Sequence, residues 1–138
     1  MTTAKRFEDL EVWQRAKDLT NLIYEYSTDG SFSRDFGLRD QMRRASVSIM
    51  SNIAEGFESQ TQAMFIKYLG YAKGSAGELR AQLYIARDQG YITEEDFNTM
   101  FSTAEICSRQ LTRFIQYLES QPNARRVRED GETYNVEH

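Results

Sequence analysis

A stripe of polar side chains is the feature of this sequence best suited to chemistry. It lies in the segment 38–57, and at the 100° per residue of an α-helix its members share one face. They are Gln41, Arg44, Ser48, Asn52 and Glu55. A second stripe follows downstream, formed by Tyr71, Ser75, Glu78 and Gln82. Because a buried polar group is costly unless it is hydrogen-bonded, two facing stripes predict a buried network centred on an Arg44–Glu78 ion pair.

Three interpretations of these stripes stay open. In the first, the side chains form a structural network, which requires low exposure for Arg44, Ser48 and Asn52. In the second, both stripes are solvated faces of surface helices. In the third, they line a pocket that binds a ligand. The residues assigned to the network are Gln41, Arg44, Ser48, Asn52, Glu55, Ser75 and Glu78.

The other reactive residue types exclude most catalytic classes. The single histidine is His138, the last residue, which leaves no histidine for a triad, a zinc site or a di-iron bundle site. The single cysteine, Cys107, cannot form an internal disulfide and falls on an apolar helix face, which predicts a buried thiol in a reducing compartment. With no phosphate-binding loop or nucleophile motif either, the sequence predicts no enzyme, no metal site and no cofactor.

Four amphipathic helices are predicted to position these residues. Apolar side chains recur at helical spacing over residues 7–27, 36–57, 62–89 and 94–120. A loop is predicted at 28–36, and no strand in the body of the chain. The pattern favours an all-α, antiparallel up-down-up-down four-helix bundle over residues 1–120, with residues 1–6 frayed. Residues 121–138 change to a charged composition that predicts a flexible tail.

Several side chains indicate contact between copies of the chain. Helix 36–57 carries a second apolar row opposite its core face, which belongs either in the bundle centre or in a subunit interface. Three glycines share a face of helix 62–89, where their cost in helix stability indicates close packing within the bundle or between subunits. Trp13 fits a cap on the bundle flank or an interface. The residues assigned to the interface are Trp13, Val47, Met50, Phe57, Gly70, Gly74 and Gly77.

Charge gives a weaker indication of partners. The net charge of −4 provides no global field favouring nucleic acid. Basic residues on the second and third helices nevertheless form a candidate nucleic-acid patch, with ordinary solvated surface as the competing interpretation. They are Arg39, Arg43, Lys67, Lys73, Arg80 and Arg87. The sequence shows neither a signal peptide nor an apolar run of transmembrane length, which predicts a cytoplasmic protein without a membrane role.

The segment from Arg43 to Gly56, RRASVSIMSNIAEG, resembles the signature of bacterial four-helix-bundle proteins named after 23S rRNA intervening sequences. Flanking residues match the same family, and the resemblance covers about residues 7–119. The sequence departs from the family pattern at Met50 and Ser33, where proline is common. Flanking matches include Phe7, Leu10, Val12, Trp13, Phe65, Leu69, Gly74, Ser75, Glu78 and Gly90.

The resemblance implies a non-enzymatic bundle that forms ring-like homo-oligomers, typically pentamers. Related bundle proteins act as accessory factors of retroelements and bind nucleic acid, which implies a role in binding RNA or another nucleic acid. The alternative is an oligomeric protein–protein scaffold or adaptor without a nucleic-acid role. The resemblance transfers no catalytic residue to this chain.

Overall fold

Four long α-helices make up the body of the computed structural model, which describes residues 3–121 and 134–135. The elements are β1 (Thr3–Ala4), a 3₁₀ helix (Phe7–Asp9), α1 (Glu11–Tyr26), α2 (Gly30–Arg34), α3 (Phe36–Glu58), α4 (Gln62–Asp88), α5 (Glu94–Glu119) and β2 (Tyr134–Asn135). β1 and β2 pair in antiparallel fashion, so the predicted fraying of residues 1–6 is wrong for Thr3 and Ala4. The predicted tail lies outside the described residues, apart from residue 121 and β2.

The long helices form an antiparallel bundle with α1 and α4 on one diagonal and α3 and α5 on the other. Two hydrogen bonds show that α1 and α3 are antiparallel. The Thr20 hydroxyl donates to the Ser46 carbonyl, whereas Ser27, which follows Thr20 in the chain, accepts from Arg43, which precedes Ser46. The same antiparallel sense relates α3 to α4, α4 to α5 and α5 to α1. This arrangement confirms the predicted all-α, up-down-up-down four-helix bundle.

The first helix begins later than predicted. The sequence predicts one helix over 7–27, but Phe7–Asp9 is a 3₁₀ turn, Leu10 is extended, and α1 starts at Glu11. The Asp9 carboxylate accepts hydrogen bonds from the backbone N–H groups of Lys5 and Arg6, which closes a local turn that competes with a continuous helix.

The segment predicted as a loop, 28–36, contains the short helix α2. The one fully buried side chain of α2 is Phe32, which stacks on the Tyr91 ring with the ring centres 5.3 Å apart. Gly30 starts α2 with φ +69°, a conformation that glycine adopts without strain. Turn-forming residues dominate this segment, and Phe32 alone does not make a helical pattern of apolar residues, so the sequence did not predict the helix.

Helix ends follow the chemistry of their cap residues. The side chains of Asp35, Thr61 and Thr93 each accept a hydrogen bond from a backbone N–H in the first turn of α3, α4 and α5. Gly90, with φ +75°, ends α4 in a Schellman motif, since Tyr91 N–H bonds to the Ala86 carbonyl. These caps fix the register of α4 and α5, whose predicted bounds agree with the structure to within one residue.

The core is formed by the apolar seams of all four long helices. Phe65, Leu69, Leu79 and Leu83 of α4 are fully buried together with the seams of its neighbours. α3 and α4 pack tightly at Gly56, where an added Cβ would lie 2.8 Å from Phe65 Cδ1. The helix continues past this glycine to Glu58, one residue beyond the predicted end at 57.

Candidate functional site

The two polar stripes face each other along the α3–α4 side of the bundle, but only part of the predicted network forms. Asn52 Nδ2 donates to the Ser48 carbonyl at 2.8 Å and to Ser48 Oγ at 3.0 Å. Ser75 Oγ donates to Ser48 Oγ across the helix interface at 3.0 Å. All three residues are half-buried. A serine–serine–asparagine contact therefore joins α3 to α4 and is the structural part of the stripe.

The predicted burial of the charged residues in the stripe is wrong. Arg44 and Glu78 are exposed and make no ion pair with each other, and Gln41 and Glu55 are exposed as well. These positions lie on the rim of the helix contact, where the two helix surfaces diverge and long side chains reach water. Solvation, the second interpretation of the stripe, therefore holds for its charged members.

A cleft of about 250 Å³ lies between these charged side chains. It is lined by Gln41, Arg44, Ala45, Ser48 and Glu78, so that a guanidinium on α3 faces a carboxylate on α4 without pairing with it. Ala45, 2% exposed, belongs to the core. The cleft thus combines an apolar residue of the core with opposite charges from two helices.

The second apolar row of α3 lies on the α1–α3 side of the bundle and is partly open to solvent. Val47 is 37% exposed and Met50 is half-buried. Phe57 is only 6% exposed and packs edge-on against Phe65, so its assignment to an interface is wrong. The row therefore ends in the core at the C-terminal end of α3.

Two exposed aromatic side chains extend this row at its other end. Phe36 is 63% exposed and Tyr24 of α1 is 42% exposed. Their position at the α1 C-terminus and the α3 N-terminus was missed because neither residue lies on a core seam. Trp13 is half-buried with its ring centre 5.1 Å from that of Phe7, which supports the cap on the bundle flank. We name Tyr24, Phe36, Val47 and Met50 the apolar row.

The glycine face of α4 is open. An added Cβ at Gly70 or Gly74 would meet nothing within 4 Å, and at Gly77 it would meet only the Arg80 side chain at 3.7 Å. Close packing within the bundle, one of the two predicted roles of these glycines, is therefore wrong. The phase of α4 directs the glycine face toward the α4–α5 side, opposite the apolar row.

Two arginines of the predicted nucleic-acid patch tie structural elements together. Arg43 donates from Nε to Ser27 Oγ at 2.9 Å and from Nη2 to the Ser27 carbonyl at 3.2 Å, with its guanidinium over the Tyr24 ring. Arg39 donates to the Ser33 carbonyl and pairs with Asp40. Their donors are therefore engaged at the junction of α1, α2 and α3.

Arg87 is likewise engaged at the α4–α5 junction. It forms ion pairs with Asp88 at 3.2 Å and Glu94 at 3.8 Å, and its guanidinium lies 4.7 Å from the centre of the Phe97 ring. These contacts neutralise the positive charge of Arg87 with groups of the same chain. Arg87 is therefore not a free cation of the predicted nucleic-acid patch.

The other three members of the predicted patch, Lys67, Lys73 and Arg80, lie on α4. Lys67 and Lys73 are exposed, whereas Arg80 is half-buried with its Nε shielded from solvent and without a hydrogen-bond partner among the described residues. Arg109 and Arg113 of α5, which were not among the predicted patch residues, are exposed beside Ser108 and Thr112. Their spacing of four residues was the available signal. Lys67 and Lys73 are therefore the exposed members of the predicted nucleic-acid patch.

Groups suited to metal binding or nucleophilic catalysis are scarce. Within residues 3–121 and 134–135, no cluster of three histidine, cysteine, aspartate or glutamate side chains could hold a metal ion. Burial raises the pKa of the Cys107 thiol from 9.0 to about 11, so the thiol stays protonated at neutral pH. In the same part of the chain, none of the helices combines the length and apolarity needed to cross a membrane.

Comparisons with known proteins agree with this bundle. The fold is similar to the crystal structure of a protein of unknown function from the S23 ribosomal protein family of Bacteroides thetaiotaomicron, with a TM-score of 0.70 and 24% identity. That match covers 75% of this chain and 97% of the other. No curated protein matches the chain. Residues 8–113 match the model of the family described as 23S rRNA-intervening sequence protein, and the chain therefore belongs to that family.

Proposed function

We propose that the protein is a non-enzymatic, homo-oligomeric binding module of the cytoplasm that assembles head to tail into a ring. The observation that carries this proposal is the pair of unlike surfaces on opposite sides of one bundle: the apolar row on the α1–α3 side and the glycine face on the α4–α5 side. Unlike surfaces that meet produce a heterologous contact, which closes into a ring when the rotation allows it. The pentamer expected from the family resemblance is the subunit number we propose.

The two surfaces complement each other in shape and charge. Side chains project from the apolar row, whereas the missing side chains of Gly70 and Gly74 leave a recess on α4. Exposed carboxylates on α3 flank the apolar row, together with Arg44, and the recess is flanked by exposed cations. The carboxylates are Asp40 and Glu58, and the cations are Lys67 and Lys73.

Native mass spectrometry of complementary variants tests the assembly. Val47→Asp puts a charge into the apolar row, and Gly74→Tyr fills the recess from a position where an added Cβ meets nothing within 4 Å. We expect a ring from the wild-type protein, a monomer from each variant, and a 1:1 heterodimer from their mixture, because each variant keeps the surface that the other has lost. Thr99→Asp and Thr99→Tyr, on an exposed position of α5, are the matched controls and should leave the ring intact. A monomeric wild type, or variants that still form rings, would contradict the proposal.

The second candidate function is RNA binding. The family description names an intervening sequence of 23S rRNA, and a ring would repeat the exposed cations Arg109 and Arg113 of α5 around its circumference. We expect the double variant Arg109→Glu/Arg113→Glu to weaken RNA binding and to flatten its dependence on salt. The change Lys17→Glu, at an exposed position of α1, is the single-site control. Equal affinity in all three proteins would leave the protein-scaffold role as the better assignment.

A further inference from the structure

We propose that the α3–α4 cleft binds a small zwitterion that carries a carboxylate and an ammonium group, as a free α-amino acid does. The cleft is lined by Gln41, Arg44, Ala45, Ser48 and Glu78. Neither the ring nor RNA binding assigns a role to the cleft itself. In the proposed ring the cleft stays accessible, because the two assembly surfaces lie on the α1–α3 and α4–α5 sides.

The cleft holds opposite charges at the same level of the bundle. Ser48 and Ser75 are in contact across the two helices. Arg44 lies one turn from Ser48 and Glu78 one turn from Ser75, and since the helices are antiparallel, both charges come to the same height. Packed helix axes are about 8–10 Å apart, a gap that these two long side chains can span. They nevertheless form no ion pair with each other, and the space between them is open.

One wall of the cleft is fixed in place by hydrogen bonds. Ser48 Oγ accepts from Asn52 Nδ2 and from Ser75 Oγ, both at 3.0 Å. A hydroxyl that accepts two hydrogen bonds retains its own proton for a third group. Ser48 is therefore held in an orientation from which it can donate to a ligand. Such fixed donors lower the entropic cost of binding.

The charges select the class of ligand. Arg44 is suited to a carboxylate, which a guanidinium binds through two parallel hydrogen bonds, with Ser48 and Gln41 as further donors. Glu78 would repel a plain anion and is suited to an ammonium group. Drug-sized ligands occupy roughly 300–1,000 Å³, so a cleft of about 250 Å³ fits a smaller molecule. A single amino acid meets both the size and the charge requirements.

Isothermal titration calorimetry with each of the twenty L-amino acids tests the site. We expect saturable binding of at least one of them to the wild-type protein. Arg44→Gln and Glu78→Gln should each weaken that binding about tenfold or more, the effect of losing one charged hydrogen-bonding partner. Glu95→Gln, at an exposed position of α5, is the matched control and should bind the amino acid as tightly as the wild-type protein does.

Blocked ligands identify which pole each residue binds. The methyl ester of the amino acid should bind the wild-type protein weakly, but it should bind Arg44→Gln as tightly as the free amino acid does. Likewise, the N-acetyl form should bind the wild-type protein weakly, but it should bind Glu78→Gln as tightly as the free amino acid does. Thermal unfolding of each variant confirms that the bundle is folded, and native mass spectrometry shows separately whether it assembles. Absence of binding for all twenty, or unchanged affinity in both variants, would overturn the proposal.

Discussion

At the residue scale, Gly56 decides how closely α3 and α4 pack. A Cβ there would meet Phe65 Cδ1 at 2.8 Å and Tyr68 Cβ at 2.9 Å, distances that neither helix can accept without moving. Gly70 and Gly74 face open space instead. Glycines of one bundle thus have two roles, and the sequence does not separate them because all lie within helical stretches.

Alanine substitutions should distinguish these roles. We expect Gly56→Ala to lower the free energy of unfolding by about 1–3 kcal/mol, the usual cost of overpacking. Gly70→Ala should raise it by about 0.5–1 kcal/mol, because alanine favours a helix over glycine. Urea unfolding followed by circular dichroism, below the concentration at which the chain assembles, measures both. Equal effects of the two substitutions would contradict the close approach at Gly56.

Alkaline pH should destabilise the bundle through buried or hydrogen-bonded acids. Burial raises the pKa of Cys107 from 9.0 to about 11, while hydrogen bonds to Asp96 and Asp35 raise the pKa values of Tyr26 and Tyr91. Each group is held protonated in the folded state and ionises more readily when unfolded. Their contribution to stability is therefore complete below about pH 9 and declines above it.

A cysteine substitution isolates one of these groups. Between pH 9 and 11 the Cys107 thiol should reduce the unfolding free energy by about 1.4 kcal/mol per pH unit, and Cys107→Ala should remove that part of the slope. Urea titrations at a series of pH values give the comparison. Parallel curves for the two proteins would show that the thiol does not contribute.

At the element scale, the junction of α1 with α3 depends on Arg43. Its guanidinium bonds to both Ser27 oxygens just beyond α1 and covers the Tyr24 ring. A cation at this place also complements the negative end of the α1 dipole. The residue predicted to contact nucleic acid is thus a cap for another helix.

Substitution of Arg43 should therefore affect stability more than RNA affinity. We expect Arg43→Ala to destabilise the protein by about 1.5–3 kcal/mol, as for loss of charged hydrogen bonds, and Arg43→Lys to recover only part of it because lysine lacks the planar fork. Thermal unfolding and RNA titrations of both variants provide the check. A drop in RNA affinity at unchanged stability would return Arg43 to the patch.

Elements with a strong periodic pattern or a clear cap were predictable from the sequence. The bounds of α4 and α5 follow from apolar seams that end at Gly90 and begin at Thr93. α2 and the 3₁₀ turn were not predictable from the sequence. Each depends on a single side chain or on a contact between residues distant in sequence, such as the contact of Phe32 with Tyr91. Short elements without a repeated pattern are defined by tertiary packing.

At the scale of the whole molecule, helix phase predicted which polar residues face each other but not how deeply they lie. Ser48 and Ser75 meet as expected, whereas Arg44 and Glu78 extend into solvent. Short side chains on a rim stay within the helix contact and long ones leave it. Exposure at a rim therefore depends on the local spread of the helices, which helical periodicity does not specify.

The square order of the helices has a consequence for the folding reaction. Each long helix packs against the next one along the chain, and of the contacts between long helices in the described part of the chain, the α1–α5 seam joins the most distant segments. Local contacts form at a smaller cost in loop-closure entropy, so we expect folding within microseconds to milliseconds, with this seam closing last.

Arg15→Ala, which removes the bond to Gln110 in the seam, should then speed unfolding and leave the folding rate unchanged in stopped-flow measurements. The seam that closes last is also the first to open, and an opening that exposes the buried Cys107 thiol of α5 would make this thiol a chemical reporter of the event.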